Sequence, residues 1–344
     1  MHSQAGAPPH STSTPPQIRV MAPARLHFGF IDLHGGLGRR FGSLGLAIDR
    51  PAVRLSVTRS TRTEIVGPAA ERVSQVVGAL KQRYGIESTA RIEVEEAIPS
   101  HAGLGSGTQI TLAAAVALCA LSGRPVPVLE LARALHRGAR SGIGSGVFEL
   151  GGFVVDGGRG QTDATPPVIS RLPFPESWRV VLLFDPHLTG LHGEREAMAF
   201  RDLPKFPEHQ AERLARLVLM KLLPALAEER LHDFGSALTD LQQTIGDHFA
   251  RAQGGRYASR RVEWALLKLA GWGAAAYGQS SWGPTGFAIF PTQAAAEAAV
   301  QKLSDQREAS AEGFGPQSIQ IACGCNRGAQ VQPVYSIAGR TVAA

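Results

Sequence analysis

Hydrophobic and polar positions change their period repeatedly along this chain, and each change marks an element. Residues 1–16 are rich in Ser, Thr and Pro. They bury too little apolar area to offset the entropy of ordering, so they read as a disordered tail. From Ile18 the pattern IRVMAPARLHFGFIDL predicts a strand, a break at Pro23 and a second strand. Residues 47–60 alternate as a half-buried strand does, interrupted at Pro51. Over residues 70–85, Val73, Val76, Val77 and Leu80 share one helical face and Gly85 supplies the stop. Residues 90–99 alternate again and end at Pro99. The apolar run ITLAAAVALCAL, 110–121, predicts a helix closed by Gly123 and Pro125, and residues 128–138 predict another. GGFVVDGG, 151–158, is a short strand between glycines.

Residues 157–178 carry Pro, Gly and Asp and read as a connection between domains. WRVVLLFDP, 178–186, is a buried strand, followed by helical patterns at 209–229, interrupted at Pro224, and at 231–249. A glycine-rich turn at 278–286 leads into the strand GFAIF, then a surface helix AAAEAAVQKLSDQ and a late strand SIQIACG. The order of elements makes this an α+β chain with two domains, 17–170 and 171–340, without long βαβα alternation.

A formal net charge of +6 favours an anionic partner. No dense Lys/Arg run accompanies it, and aromatics are only 6%, which argues against a nucleic-acid groove with stacking platforms. Three cysteines, Cys119, Cys323 and Cys325, form neither a disulfide framework nor a zinc spacing. The first residues contain no apolar signal region, and the run at 110–121 is too short to span a bilayer. A cytoplasmic protein with no membrane partner is expected.

The chemistry concentrates in PSHAGLGSGTQ, 99–109. A strand ends at Pro99, glycines alternate at 103, 105 and 107, and a helix begins near Thr108. Glycines let backbone N–H groups approach an anion, and the helix N-terminus adds partial positive charge. Gly103, Leu104, Gly105, Ser106, Gly107, Thr108 and Gln109 form the candidate phosphate-binding set, with Ser106 and Thr108 adding hydroxyls and Gln109 an amide. An ordinary strand-to-helix turn is the other reading of the same residues. Neither the Walker nor the Rossmann spacing is present.

This loop resembles the second signature of the GHMP kinases. APARLHFGFIDLHG, 22–35, resembles their first, and GQSSWGPTGFAIF, 278–290, their third. The resemblance implies a ribosomal-protein-like N-terminal domain and a ferredoxin-like C-terminal domain, with the site between them. Finer matches at 137–158, 190–200 and 278–285 are similar to one branch, the β-ribofuranosylaminobenzene 5′-phosphate synthases of methanopterin biosynthesis. That branch implies a pentosyltransferase joining phosphoribosyl pyrophosphate (PRPP) to 4-aminobenzoate or 4-hydroxybenzoate, releasing CO₂ and pyrophosphate. It also implies Mg²⁺, no organic cofactor and a homodimer. The alternative is an ATP-dependent GHMP small-molecule kinase. Against it, SGIGSGVFELGG, 141–152, has Gly144 where several of those kinases carry an Asp that orients or deprotonates the substrate hydroxyl. Gly107 likewise stands where they carry a serine implicated in magnesium binding.

Beside the loop, Arg25 is expected to clamp a phosphate or the benzoate carboxylate. His27 lies in the same signature and, with Arg25, Asp32 and Arg140, is a candidate catalytic residue; Asp32 is read either as a Mg²⁺ ligand or as the cap of a turn. Arg39, Arg40 and His101 are candidates to reach the anion, or else solvated loop residues. Arg137, Arg140 and Ser141 precede the altered SGIG segment, with Arg140 expected to face the site and Ser141 to touch substrate. Glu149 is read as a general base or a structural acceptor, and His192, Glu194 and Arg195 as a substrate wall or a helix start. Ser280, Ser281 and Thr285 are candidate substrate contacts, with Trp282 packing the aromatic acid or all four stiffening a turn. Ser106→Ala removes one donor to an ionised oxygen, so PRPP binding or turnover should fall roughly ten- to a hundredfold. Gly105→Val should do worse by blocking backbone approach, and a normally binding Gly105→Val protein would contradict the anion cradle.

Overall fold

The computed structural model describes residues 17–86, 89–161, 165–190, 193–306, 315–337 and 340–343, with side chains omitted at 195–197, 316, 336, 337 and 340–343. The tail expected at 1–16 lies outside the described residues. The first sheet holds β1 (Gln17–Asp32), β2 (Phe41–Arg59), β3 (Glu64–Val66), β4 (Ala90–Glu96), β5 (Phe153–Asp156) and β6 (Val168–Leu172). Its helices are α1 (Ala70–Tyr84), α2 (Ser106–Leu121), α3 (Val128–Ala134) and α4 (Ile143–Leu150). The second sheet comprises β7 (Arg179–Leu183), β8 (Ala276–Gln279), β9 (Gly286–Phe290) and β10 (Ile319–Cys323) in the order β10-β7-β9-β8. Around it lie α5 (Gly193–Asp202), α6 (Glu208–Leu217), α7 (Leu223–Ala227), α8 (Leu231–Gln253), α9 (Arg260–Gly271) and α10 (Gln293–Ser304). The chain then returns as β11 (Gln330–Ile337) and β12 (Arg340–Ala343) to the first sheet, ordered β12-β11-β1-β2-β4-β3 with β5 and β6 on β2. No described helix is long and apolar enough to cross a membrane.

The alternation read at 90–99 appears in β4, where buried and exposed residues alternate from Ala90 to Glu95, and the buried strand read at 178–186 is β7. β7 sends Val180 and Leu182 into the core shared by both halves, while Val181 and Leu183 face α9 and α10. The second sheet is therefore covered on both faces. α2 is apolar on nearly every side, and accordingly ten of its residues from Ile110 to Leu121 are buried. Phe28 joins the halves: its ring meets Phe153 of β5 at 5.8 Å and Phe287 of β9 at 4.9 Å. The break expected at Pro23 is a register shift between Pro23 and Ala24 within one continuous strand.

Three elements differ from the sequence pattern. The expected connection at 157–178 contains β6, which pairs with β5. The helix broken at Pro224 accommodates it with a π turn over Val218–Leu222, because proline lacks the N–H that the preceding helix would use. The second domain expected at 171–340 also gives up its last strands. β11 pairs antiparallel with β1 from Gln17↔Val334 to Met21↔Gln330, so these residues complete the first sheet. Long-range pairing, rather than local propensity, decides their place.

Asp156 secures the end of β5 and passed unnoticed in the sequence. It is fully buried. Its carboxylate accepts from Ser43 N (3.2 Å), Gly158 N (2.9 Å), Gly142 N (2.8 Å) and Ser141 Oγ (3.1 Å), tying β2 and β5 to the start of α4. Burial pushes its carboxyl pKa up, while these four donors pull it down. Asp156→Ala leaves several buried donors unpaired and should cost at least about 3 kcal/mol, with Asp156→Asn milder. Urea unfolding measures this, and an unchanged midpoint for Asp156→Ala would contradict the role.

Candidate active site

The glycine loop is held by backbone packing that tolerates no side chains. Gly103 has φ of +81°, and a Cβ there would lie 2.2 Å from Ser280 O. A Cβ on Gly283 would lie 2.3 Å from Ala102 O, and one on Gly190 would lie 2.6 Å from the Gly283 Cα. Polar bonds close the same junction. Ser280 Oγ donates to Gly103 O (2.7 Å) and accepts from His27 N (3.0 Å). Ser281 N donates to His27 O (3.0 Å), and Gly190 N to His101 O (3.0 Å). Arg25 donates its guanidinium to Gly103 O and its backbone N–H to Leu104 O (3.1 Å). The three signature segments thus meet at the glycine loop.

α2 starts at Ser106, slightly earlier than its sequence suggests. Gly105, in the left-handed region at φ 79°, is its N-cap and supplies no side-chain bond. The first N–H groups of a helix have no partner within it, so this end is open to an anion. It faces a cleft of about 370 Å³ lined by Ser106, Gly107, His101, Ile110, Arg72 and Arg137 among others. A Cβ on Gly107 would come 3.7 Å from Arg137 Nη1. Burial, and then the neighbouring Arg72 guanidinium, hold the Arg137 pKa below the usual arginine value. The Arg137 Nε is buried with no partner.

The expected site residues divide accordingly. Ser106 and Gly107 line the cleft, whereas Gly103 packs against Ser280 and Gly283 and Gly105 against Arg25. Leu104 and Gln109 turn inward instead: Leu104 is a core residue, and Gln109 Nε2 donates to Gly144 O (2.8 Å). Thr108 packs against Gly144, where a Cβ would stand 3.0 Å from Thr108 Cγ2. Position 144 therefore faces the loop and presents no carboxylate. Arg137, rather than Arg140, is the arginine beside the helix end; the Arg140 guanidinium lies 4.9 Å over the Phe200 ring. Arg72 was missed, because on an amphipathic helix it looks like a solvated charge. Ser141 accepts from Ile143 N (3.2 Å) and bonds Asp156, which makes it a helix-start residue.

Asp32 is the cap of a turn, its Oδ1 accepting from His34 N and Gly35 N, both at 2.8 Å. No group of three or more His, Cys, Asp or Glu among the described residues could hold a metal ion, so Asp32 provides at most part of a magnesium shell. Arg39 is spent on the carbonyls of Gly157 and Gly158, and Arg40 on Leu33 O. Glu149 is exposed at the far end of α4 from Thr108. Glu194 is exposed at the start of α5, His192 lies outside the described residues, and of Arg195 only the backbone is described. Ser280 and Thr285 are fully buried, so they build the junction instead of meeting solvent. Trp282 is packed on Phe249 (4.4 Å) and Phe200 (5.3 Å) and is itself buried, so its indole fills the core next to the loop. Ser281, at φ 57°, lines a narrow cavity with His27.

Residues 71–154 match the model of the GHMP kinases N terminal domain, and residues 222–309 that of the GHMP kinases C terminal. A β-ribofuranosylphenol 5′-phosphate synthase of Archaeoglobus fulgidus is 36% identical over 289 residues, covering 80% of this chain and 89% of that protein. Its namesake in Methanothermobacter thermautotrophicus is 29% identical over 340 residues, covering 91% and 98%. The fold is also that of homoserine kinase from Cytophaga hutchinsonii, with a TM-score of 0.62, 21% identity and coverage of 94% and 99%.

His27 has a measurable signature. Its ring is buried, its Nδ1 accepts from Gly29 N (3.3 Å), and burial, then the charge of Arg25, lower its pKa to about 3. The folded protein therefore keeps His27 neutral where the unfolded chain, with a value of 6.5, takes up a proton. The associated stability is complete above pH 6.5 and is lost as pH falls towards 3. Between pH 7 and pH 4 the loss should amount to about 3 kcal/mol. His27→Gln, which keeps an acceptor for Gly29, should flatten that slope in denaturant titrations at several pH values. An identical slope in both proteins would contradict the assignment.

Proposed function

The chain belongs to the GHMP family and, within it, to the β-ribofuranosylphenol 5′-phosphate synthases, and from that premise we propose that it is a decarboxylating phosphoribosyltransferase. The donor is PRPP and the acceptor a para-substituted benzoate. The relatives' name speaks of a phenol product, which favours 4-hydroxybenzoate over 4-aminobenzoate. The observation that carries the reading is the uncapped start of α2, with Ser106 and Gly107 facing a cleft that also contains Arg72 and Arg137. Such a cleft suits phosphate oxygens. Gly144 supports transfer without a kinase base, since the position beside Thr108 offers no group to accept a proton.

The reaction balances without a protein nucleophile. The C1–O bond of PRPP breaks and its electron pair leaves with pyrophosphate. The ipso carbon of the acceptor, made electron-rich by the para substituent, forms the new bond to C1. Loss of CO₂ returns the carboxyl carbon–ring electron pair to the ring and restores aromaticity. With the acid entering as carboxylate, no net proton is consumed. The protein's task is to hold the phosphates, orient the two reactants and stabilise charge on the leaving pyrophosphate. The N–H groups of α2 are suited to holding a phosphate, and the guanidiniums of Arg72 and Arg137 to the last of these. Arg25 buttresses the loop through Gly103 O and thereby positions those donors. His27, neutral at physiological pH, serves as a structural acceptor and not as a proton source. Magnesium fits this reading only as an ion carried by the substrate's pyrophosphate, because Asp32 offers no protein-built cage. The homodimer implied by the family resemblance belongs to the same proposal.

Incubation with PRPP and each benzoate, with and without ATP, tests it. CO₂ and pyrophosphate should appear in equal amounts, require PRPP and ignore ATP. ATP-dependent phosphorylation of a small alcohol, with no release of CO₂ from either benzoate, would overturn the assignment in favour of the kinase.

A further inference from the structure

Arg72 and Arg137 do not belong to one cavity alone. Besides the cleft over α2, they line a second one of about 490 Å³ between α1 and the end of α3, together with Gln75, Gln82, Arg83, Thr111 and His136. From Arg72 to Arg83 the groove follows twelve residues of α1, about 16 Å of helix. Among the described residues no Asp or Glu lines either cavity. The Thr111 hydroxyl has no hydrogen-bond partner although the residue is 1% exposed, and the Arg137 Nε is equally unpartnered. Neighbouring guanidiniums, an orphaned hydroxyl and an absence of counter-charge describe a site completed by an anion longer than one phosphate.

We infer that this groove is the pyrophosphate subsite: it takes the diphosphate arm of PRPP and, after transfer, the released pyrophosphate, leaving the start of α2 to the 5′-phosphate. The assignment to PRPP rests on the function proposed above, whereas the preference for a diphosphate over a single phosphate does not. Arg72 and Arg137 sit where both anionic groups are felt. Arg83 and Thr111 touch only the diphosphate.

Calorimetric titration of the full chain with inorganic pyrophosphate and with orthophosphate separates these roles. The wild type should bind pyrophosphate at least about tenfold more tightly than orthophosphate. Arg83→Gln and Thr111→Val should each weaken pyrophosphate roughly tenfold and leave orthophosphate unchanged, while Thr111→Ser should behave as wild type. Arg72→Gln should weaken both ligands. In turnover assays, Arg83→Gln and Thr111→Val should raise the KM for PRPP and the inhibition constant of pyrophosphate in parallel. Arg83 is exposed, so its variant provides the readout even where Thr111→Val fails to fold. Equal affinity for the two anions would overturn the inference. So would pyrophosphate binding and KM unchanged in Arg83→Gln alongside normal PRPP turnover, which leaves the proposed function standing. Conversely, the predicted binding pattern without PRPP turnover would uphold a diphosphate site and remove the phosphoribosyl reading.

Discussion

The site depends on a backbone-to-backbone contact between residues 177 positions apart, the approach of Gly103 to Ser280. A single methyl group on Gly103 would fall 2.2 Å from the Ser280 carbonyl oxygen, and the backbone there is already in the left-handed region. Glycine at 103, 190 and 283 is thus a packing requirement before it is a binding one. The contact presses the third signature onto the loop, and the bonds of Ser280 and Arg25 to Gly103 O hold it there. What remains free is the start of α2, which has no cap of its own. A ligand can satisfy those N–H groups because the protein does not.

This constraint also accounts for the division of labour among the polar residues. Side chains that looked like substrate contacts, such as Ser141 and Ser280, are consumed in holding the helix start and the loop. Arg39 and Arg40 are spent on carbonyl oxygens. Positive charge left for a ligand lies on Arg72 and Arg137, one from α1 and one from the segment after α3, which converge with no carboxylate among the described residues lining the cleft. The altered SGIG segment completes the picture. At Gly144 the chain faces its own glycine loop with a bare backbone and no carboxylate.

Much of this was legible in the residues. The continuous apolar run of β7 and the period of α1 are local signals, and both survive in the structure. So does the glycine loop, because strand, turn chemistry and apolar helix follow one another within about thirty residues of sequence. The misplaced residues share a cause. Arg137 and Arg140 stand three apart in a segment without regular period, so no periodicity rule could say which faces the cleft. Leu104 and Gln109 belong to the motif, yet their side chains follow the burial of α2 rather than the path of its open N–H groups. β11 is an unremarkable strand pattern whose partner lies at the opposite end of the chain, and only the pairing with β1 assigns it to the first sheet. Asp156 offered no signal at all until Ser43, Gly142 and Gly158 were seen to converge on it.

The central claim is that the uncapped start of α2 and the arginines beside it form a phosphoribosyl donor site. A crystal structure of the protein soaked with PRPP tests it most directly. The account predicts density for the donor with phosphate oxygens within hydrogen-bond distance of the Ser106 or Gly107 N–H groups and of the Arg137 guanidinium. PRPP bound elsewhere on the molecule, with the start of α2 facing only solvent, would contradict it.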